Sequence, residues 1–272
     1  MKNSFMWIVP CLVIGLVIIA IAGASLLSAT SYTGKIAIIR IKGTITSSPS
    51  ILESSISTED AFAMIDKVES DPSIRGALIE IDSPGGSVVS SREIAEAVKG
   101  MKKPTVCWLG DIAASGAYWV ASACDTIVAD PLSLTGSIGV TASYLQFAGT
   151  LEKYGVRYER FVSGESKDAG SPFRNLTQEE AAGMSQLVDE TFQYFLDDVI
   201  RNRNLPDEYV ERIRGGGLFL AKDARMIGLV DELGTWNDAK EIAKSATGLR
   251  SPQFMELQQR GTGLLGLLSN FF

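Results

Sequence analysis

The stretch GDIAASGAYWV, Gly110 to Val120, sets a single serine, Ser115, among Ala113, Ala114, Gly116 and Ala117. Small neighbours let another chain approach a hydroxyl closely, which suits a nucleophile. A nucleophilic serine needs a base, and the chain contains no histidine. That excludes a Ser-His-Asp triad, a Cys-His pair and any haem or zinc site built on imidazole. Acid–base work near neutral pH then falls to a carboxylate, lysine, tyrosine or cysteine with a shifted pKa. A lysine serves when burial makes its ammonium costly. Lys167 stands in a Gly/Ser-rich loop, FVSGESKDAGSPF; Asp168 beside it need not pair with it, because adjacent side chains often diverge. Two glycine-bearing turns offer donors for an oxyanion. DSPGGS closes a buried strand at Gly85 and Gly86, and Gly116 opens a helix, where first-turn N–H groups lack partners. Taken singly, Ser115 reads as a helix cap, Lys167 as a solvated lysine and Gly85-Gly86 as a turn. Together they fit one mechanism.

The elements that must position these residues alternate between strand and helix from Lys35 onward. KIAIIRIKG, RGALIEIDSPGG, PTVCWLG and DTIVAD read as strands, and GSIGVTA and VRYERFVSG as further strands. STEDAFAMIDKVESD, SVVSSREIAEAVKGMKK, Ser115 to about Ala123, and YLQFAGTLEKYG read as helices. After Thr177, which caps the next helix, a long amphipathic segment runs to Leu205-Pro206; shorter helices are expected near Ala221–Ile227 and Trp236–Thr247. The pattern implies an α/β fold with a mainly parallel sheet.

The ends differ from this centre. Trp7 to Leu27 is uncharged, apolar and long enough to span a bilayer, so it reads as an uncleaved signal anchor rather than a cleavable signal peptide. Positive charges on its two sides do not fix its orientation; a short tail before a large domain favours an exported domain on a single-pass anchor. The final GTGLLGLLSNFF is apolar as well. A net charge of −7 argues against nucleic acid as a partner. Cys11, Cys107 and Cys124 form no C-x-x-C pair, and no Walker A loop occurs, so neither metal nor cofactor is expected.

IDSPGGSV, GDIAASGAYWVASACDTIVADPLSLTGSIGV and SGESKDAGSPFR, in this order, resemble the three signature blocks of signal peptide peptidases of the SppA type, in their short form with one catalytic domain. These are membrane-anchored serine proteases of the Clp protease/crotonase superfamily, and the resemblance covers about Lys35 to Gly234. It implies a spiral of ββα units, Ser115 as nucleophile and Lys167 as general base. It also implies Ser137 as the hydroxyl that steadies the lysine amine. Gly86 and Gly116 would be the oxyanion-hole donors, with Gly85 beside them. The expected organisation is anchor and linker at 1–31, protease domain at 32–247 and apolar tail at 248–272. Expected partners are signal-peptide remnants and other apolar peptides, the cell membrane, and further copies of the chain in a ring, where a neighbour can contribute the base or part of the pocket. The competing readings are a stomatin-partnering membrane protease, a crotonase-type acyl-CoA enzyme and a non-catalytic membrane scaffold.

Overall fold

A computed structural model describes residues 34–48 and 54–258. The apolar segment at 7–27 and the tail beyond 258 lie outside them. No helix among the described residues is long and apolar enough to cross a membrane. In chain order the elements are β1 (Lys35–Lys42), β2 (Thr44–Thr46), β3 (Ser55–Ser57), α1 (Thr58–Ser70), β4 (Ile74–Ser83), α2 (Val88–Lys99), β5 (Thr105–Ala114), α3 (Gly116–Ser122), β6 (Thr126–Ala129), β7 (Leu134–Gly136), α4 (Ala148–Lys153), α5 (Gln178–Arg203), α6 (Asp207–Arg214), β8 (Leu218–Leu220), α7 (Ala221–Met226), β9 (Glu232–Leu233), α8 (Trp236–Thr247) and β10 (Gln253–Glu256).

The main sheet runs β10-β1-β4-β5-β6-β9 with every pair parallel. Parallel strands are normally covered on both faces, and the alternation of side chains decides what covers each. Ile36, Leu78, Val106 and Val128 face one way, onto Ala239 and Ala243 of α8 and onto Leu249. Ile39, Ile79, Cys107 and Ile127 face the other way, into the larger core with α1, α2, α3 and α5. β10 joins β1 at the sheet edge, so residues up to Glu256 belong to the sheet. The architecture is mixed α/β with a mainly parallel sheet, as the alternating pattern implies.

Helix ends follow their local chemistry. Ser57 accepts from the Asp60 N–H and caps α1. Thr177 and Glu180 form a reciprocal capping box at α5, which stops at Asn204 in the left-handed conformation, just before Pro206. Two expected strands differ. β7 ends at Gly136, and residues 156–164 form no strand. VRYERFVSG has strand-like composition, but all of it is exposed with no sheet edge beside it, and composition without a partner makes no ladder.

α3 is buried along its whole length. The Tyr118 hydroxyl donates to the Leu229 carbonyl at 2.8 Å, and Trp119 Nε1 donates to Asp198 Oδ2 at 3.0 Å. The Trp119 ring stacks on Phe195 with centroids 4.3 Å apart. Nearby, the free thiols of Cys107 and Cys124 lie 2.6 Å apart in the core, where burial pushes the Cys107 thiol well up. Tyr118→Phe leaves the Leu229 carbonyl buried without its donor. The expected cost is about 1 kcal/mol, read as a Tm lower by roughly 2–4 °C in thermal unfolding; an unchanged Tm would mean that the bond adds nothing net.

Candidate active site

The C-terminal ends of parallel strands collect the turns that form sites in α/β folds. Here three such ends meet. β4 pairs with β5 through Ser83 and Ala113, and β7 pairs with β5 through Ala114 and Gly136. The next residues are therefore neighbours: the Gly85-Gly86 turn after β4, Ser115 after β5 and Ser137 after β7. A cavity of about 670 Å³ opens where they meet, lined by Gly86, Ser115 and Ser137, by the apolar side chains of Val88, Ile138, Val140, Val188 and Phe192, and by Asp189 and Arg214.

Ser115 is half-buried at φ 54°, ψ −128°, a conformation rare for any residue with a side chain. Its N–H donates to the Gly136 carbonyl at 2.8 Å and its carbonyl accepts from the Trp119 N–H at 3.0 Å, so both sides of the residue are held. Its hydroxyl makes no capping bond, in contrast to Ser57 and Thr177. Ser115 thus occupies the N-cap position of α3 without using its hydroxyl as a cap. Ser137 also has positive φ, 50°, and its N–H donates to the Gly217 carbonyl at 2.8 Å. Left-handed non-glycine residues cost on the order of 1–3 kcal/mol and cluster at functional sites.

The glycines are fixed by close approach. Ile45 of β2 receives the Ser87 N–H on its carbonyl and donates its own N–H to the Gly85 carbonyl, both at 2.9 Å. This parallel bridge uses the residues flanking Gly86, so the Gly86 N–H faces away from it. A Cβ on Gly86 would lie 2.0 Å from the Ile45 carbonyl oxygen, and one on Gly116 would lie 2.1 Å from Ser91 Oγ and 3.5 Å from the Gly86 nitrogen. Gly85, at φ 101°, sits against the Gly116 nitrogen, 2.7 Å from where its Cβ would be. Neither Ile45 nor Ser91 was expected at the site. Both contacts arise from long-range packing, and nothing in the local sequence signals them.

Lys167 stands apart. It is exposed, lies in a run of turns, and does not line the Ser115 cavity. The segment from Gly139 to Glu179 contains no buried residue. What ties the Lys167 loop down is charge. Arg174 Nε and Nη2 donate to the two oxygens of Asp168 at 3.0 and 2.7 Å, and its Nη1 and Nη2 donate to those of Glu180 at 2.8 and 2.5 Å. Arg160 reaches Asp168 Oδ1 at 2.9 Å. The Arg174 guanidinium holds the Asp168 carboxyl below the ordinary range and, with the Thr177 N–H, brings Glu180 down to about 2. The sequence places Glu180 only in the first turn of a helix; its arginine partner shows up only when the loop folds back.

A model of peptidase family S49 matches residues 97–250. The chain belongs to peptidase family S49. A protein of Methanocaldococcus jannaschii described as a protease is 36% identical over 207 residues, covering 75% of this chain and 67% of that one. The chloroplastic serine protease SPPA of Arabidopsis thaliana is 32% identical over 252 residues, covering 89% of this chain but only 37% of that relative. Among solved structures, a membrane-bound stomatin-specific protease superposes with a TM-score of 0.55 at 14% identity, covering 83% of this chain and 98% of that one; this likeness is one of fold. The S49 peptidase is thus a serine protease of the SppA type, on a Clp protease-like fold.

Two measurements follow from this geometry. Ser115→Gly removes the strain of a side chain at φ 54° and is expected to stabilise the S49 peptidase by about 1 kcal/mol, whereas Ser115→Ala keeps the strain; comparing their Tm values tests this. Glu180, ordinarily near 4.5, titrates near 2 in the folded chain, so its stabilisation is present above about pH 4.5 and is lost as pH falls toward about 2. In Tm measurements across that range, Glu180→Gln should show a shallower acid loss than wild type; equal slopes would exclude the linkage.

Proposed function

We propose that this S49 peptidase is a membrane-anchored endopeptidase working through Ser115 and Lys167, with signal-peptide remnants and other apolar peptides as substrates. The observation that carries the reading is Ser115 itself: a serine in a strained conformation, its hydroxyl making no capping bond, on the wall of a cavity with both apolar and polar lining. The Lys167 amine takes the Ser115 Oγ proton as the oxygen attacks a peptide carbonyl. The resulting oxyanion is received by the N–H groups of Gly86 and Gly116, with Gly85 shaping the turn between them. Collapse expels the amine, which takes its proton from Lys167. Water, activated by the same amine, then hydrolyses the ester and returns Ser115. Ser137 steadies the Lys167 amine. The Val88, Ile138 and Phe192 walls suit apolar side chains of the peptide.

A lysine becomes a base through burial, and in the single chain Lys167 is exposed. In this reading the burial comes from a second copy of the chain. Phe161, 95% exposed, together with exposed Leu145, Tyr158, Val162 and Phe173, gives the Lys167 segment an apolar surface of the kind that packs on another copy. The reading is a ring in which Lys167 of one protomer serves Ser115 of the next, carried on the exported side of the membrane by the apolar segment at 7–27. A partnership with stomatin-like proteins is the second reading, favoured only by the fold shared with the stomatin-specific protease.

Ser115→Ala and Lys167→Ala should each lower peptide cleavage at least about 10³-fold. In equal mixtures of the two variants, assembled together, about a quarter of the head-to-tail interfaces pair an intact serine with an intact lysine. Recovery toward about a quarter of wild-type activity supports the shared site. No recovery places both groups in one chain, and full activity of either variant alone removes the dyad.

A further inference from the structure

The residue after Lys167 is an aspartate, and a free carboxylate turned toward a neighbouring amine favours its ammonium form. The geometry points to Arg174 as the residue that prevents this: we propose that Arg174 is a positioning residue, keeping Asp168 turned away from Lys167 so that the amine can act as a base. This rests on Lys167 being that base. Both oxygens of Asp168 are engaged, Oδ2 by Arg174 Nε and Oδ1 by Arg174 Nη2 and by Arg160. Arg174 is itself anchored on both oxygens of Glu180, whose side chain is 4% exposed and sits in the capping box of α5. The charged groups facing Asp168 are Arg160 from the preceding segment and Arg174 from the following one; those facing Arg174 are Asp168 and Glu180. Among the described residues no ion pair joins Lys167 to a carboxylate, Glu165 in the same turn included.

The arrangement is more than a loop clamp. An aspartate paired with two arginines is nearly neutralised as seen from the neighbouring amine, and the bidentate fork of Arg174 fixes the direction in which its oxygens point. A lysine in place of Arg174 would supply charge without that direction.

The test is the pH profile of kcat/KM for the full chain on a fluorogenic leucine-rich peptide. Arg174→Gln frees Asp168, and the acidic limb should move up by about one pH unit, giving about tenfold lower kcat/KM at pH 7. Adding Asp168→Asn to Arg174→Gln removes the freed carboxylate and should return the limb to its wild-type position. Arg160→Gln, which leaves Arg174 in place, should shift the limb the same way by less, and it serves if Arg174→Gln does not fold. A clamp with no electrostatic role predicts a pH-independent fall, an unmoved limb and no rescue by Asp168→Asn; that result overturns the inference. Lys167→Ala keeps the two failures apart. If it is inactive and the Arg174→Gln limb does not move, only the role of Arg174 falls. If it cleaves like wild type, the base assignment falls and this inference with it.

Discussion

The site depends on the parallel hydrogen bonding of β7 to the last residues of β5. β7 has only three residues, Leu134–Gly136, yet its register sets Ala114 beside Gly136. The Gly136 carbonyl then takes the Ser115 N–H, and the Thr135 hydroxyl donates to the Ala113 carbonyl at 2.7 Å. Side-chain period in a strand is two, so a slip of β7 by one residue would turn its own residues to the opposite face and take the Gly136 carbonyl away from the Ser115 N–H. On the other side, β8 pairs antiparallel with β7, which holds the short strand in the sheet. A three-residue strand with a partner on each side can therefore define the geometry of two serines.

The strain at Ser115 needs a rigid frame, and α3 provides it. A helix of seven residues is too short to persist by its own hydrogen bonds. Complete burial, the Trp119–Phe195 stack and the bonds from Tyr118 to Leu229 and from Trp119 to Asp198 fix it from outside. Asp198 also pairs with Arg201. Large aromatics buried with their polar atoms satisfied contribute area and direction at once. The elbow can hold an unfavourable φ because the residues on both sides of it cannot move.

Much of this was legible in the sequence, for physical reasons that can be named. Strands buried on both faces read as near-continuous apolar runs, so β1, β4, β5 and β6 stood out. Ser57, Thr177 and Pro206 mark helix ends by local chemistry that needs no tertiary context. Small residues around Ser115 and paired glycines at 85 and 86 marked the places where backbone comes close. Three things were not legible. β2, β3, β8 and β9 are two or three residues long, below the length at which alternation carries a signal, and β10 is a four-residue edge strand without the continuous apolar run of β6. VRYERFVSG has strand composition without a sheet edge to join. The contacts of Ile45 with Gly86, of Ser91 with Gly116 and of Arg174 with Asp168 are made only when distant or looping segments meet, and no periodicity encodes them.

The Ser115 cavity and the Lys167 loop, the two halves of the proposed site, are held by different forces. The Ser115 half is built on parallel strands and a buried helix, where apolar packing and backbone bonds are insensitive to salt. The Lys167 half lies in a stretch without a buried residue from Gly139 to Glu179, held by Arg174 shared between two carboxylates, by Arg160 on Asp168 and by backbone bonds such as Phe147 N–H to the Pro172 carbonyl. Such a network fixes direction without a core of its own, and leaves the surrounding aromatic side chains uncovered for another surface. α5 joins the halves: its capping residue Glu180 anchors Arg174, and two to three turns on, Val188, Asp189 and Phe192 line the Ser115 cavity. A displacement of the Lys167 loop is thus tied to the wall that faces Ser115. The base in the proposed mechanism is a lysine, and a lysine serves as one where burial makes its ammonium costly. In the proposed reading, a serine held on a preformed core and a lysine on a charge-latched, otherwise uncovered segment leave the exclusion of water to assembly rather than to folding.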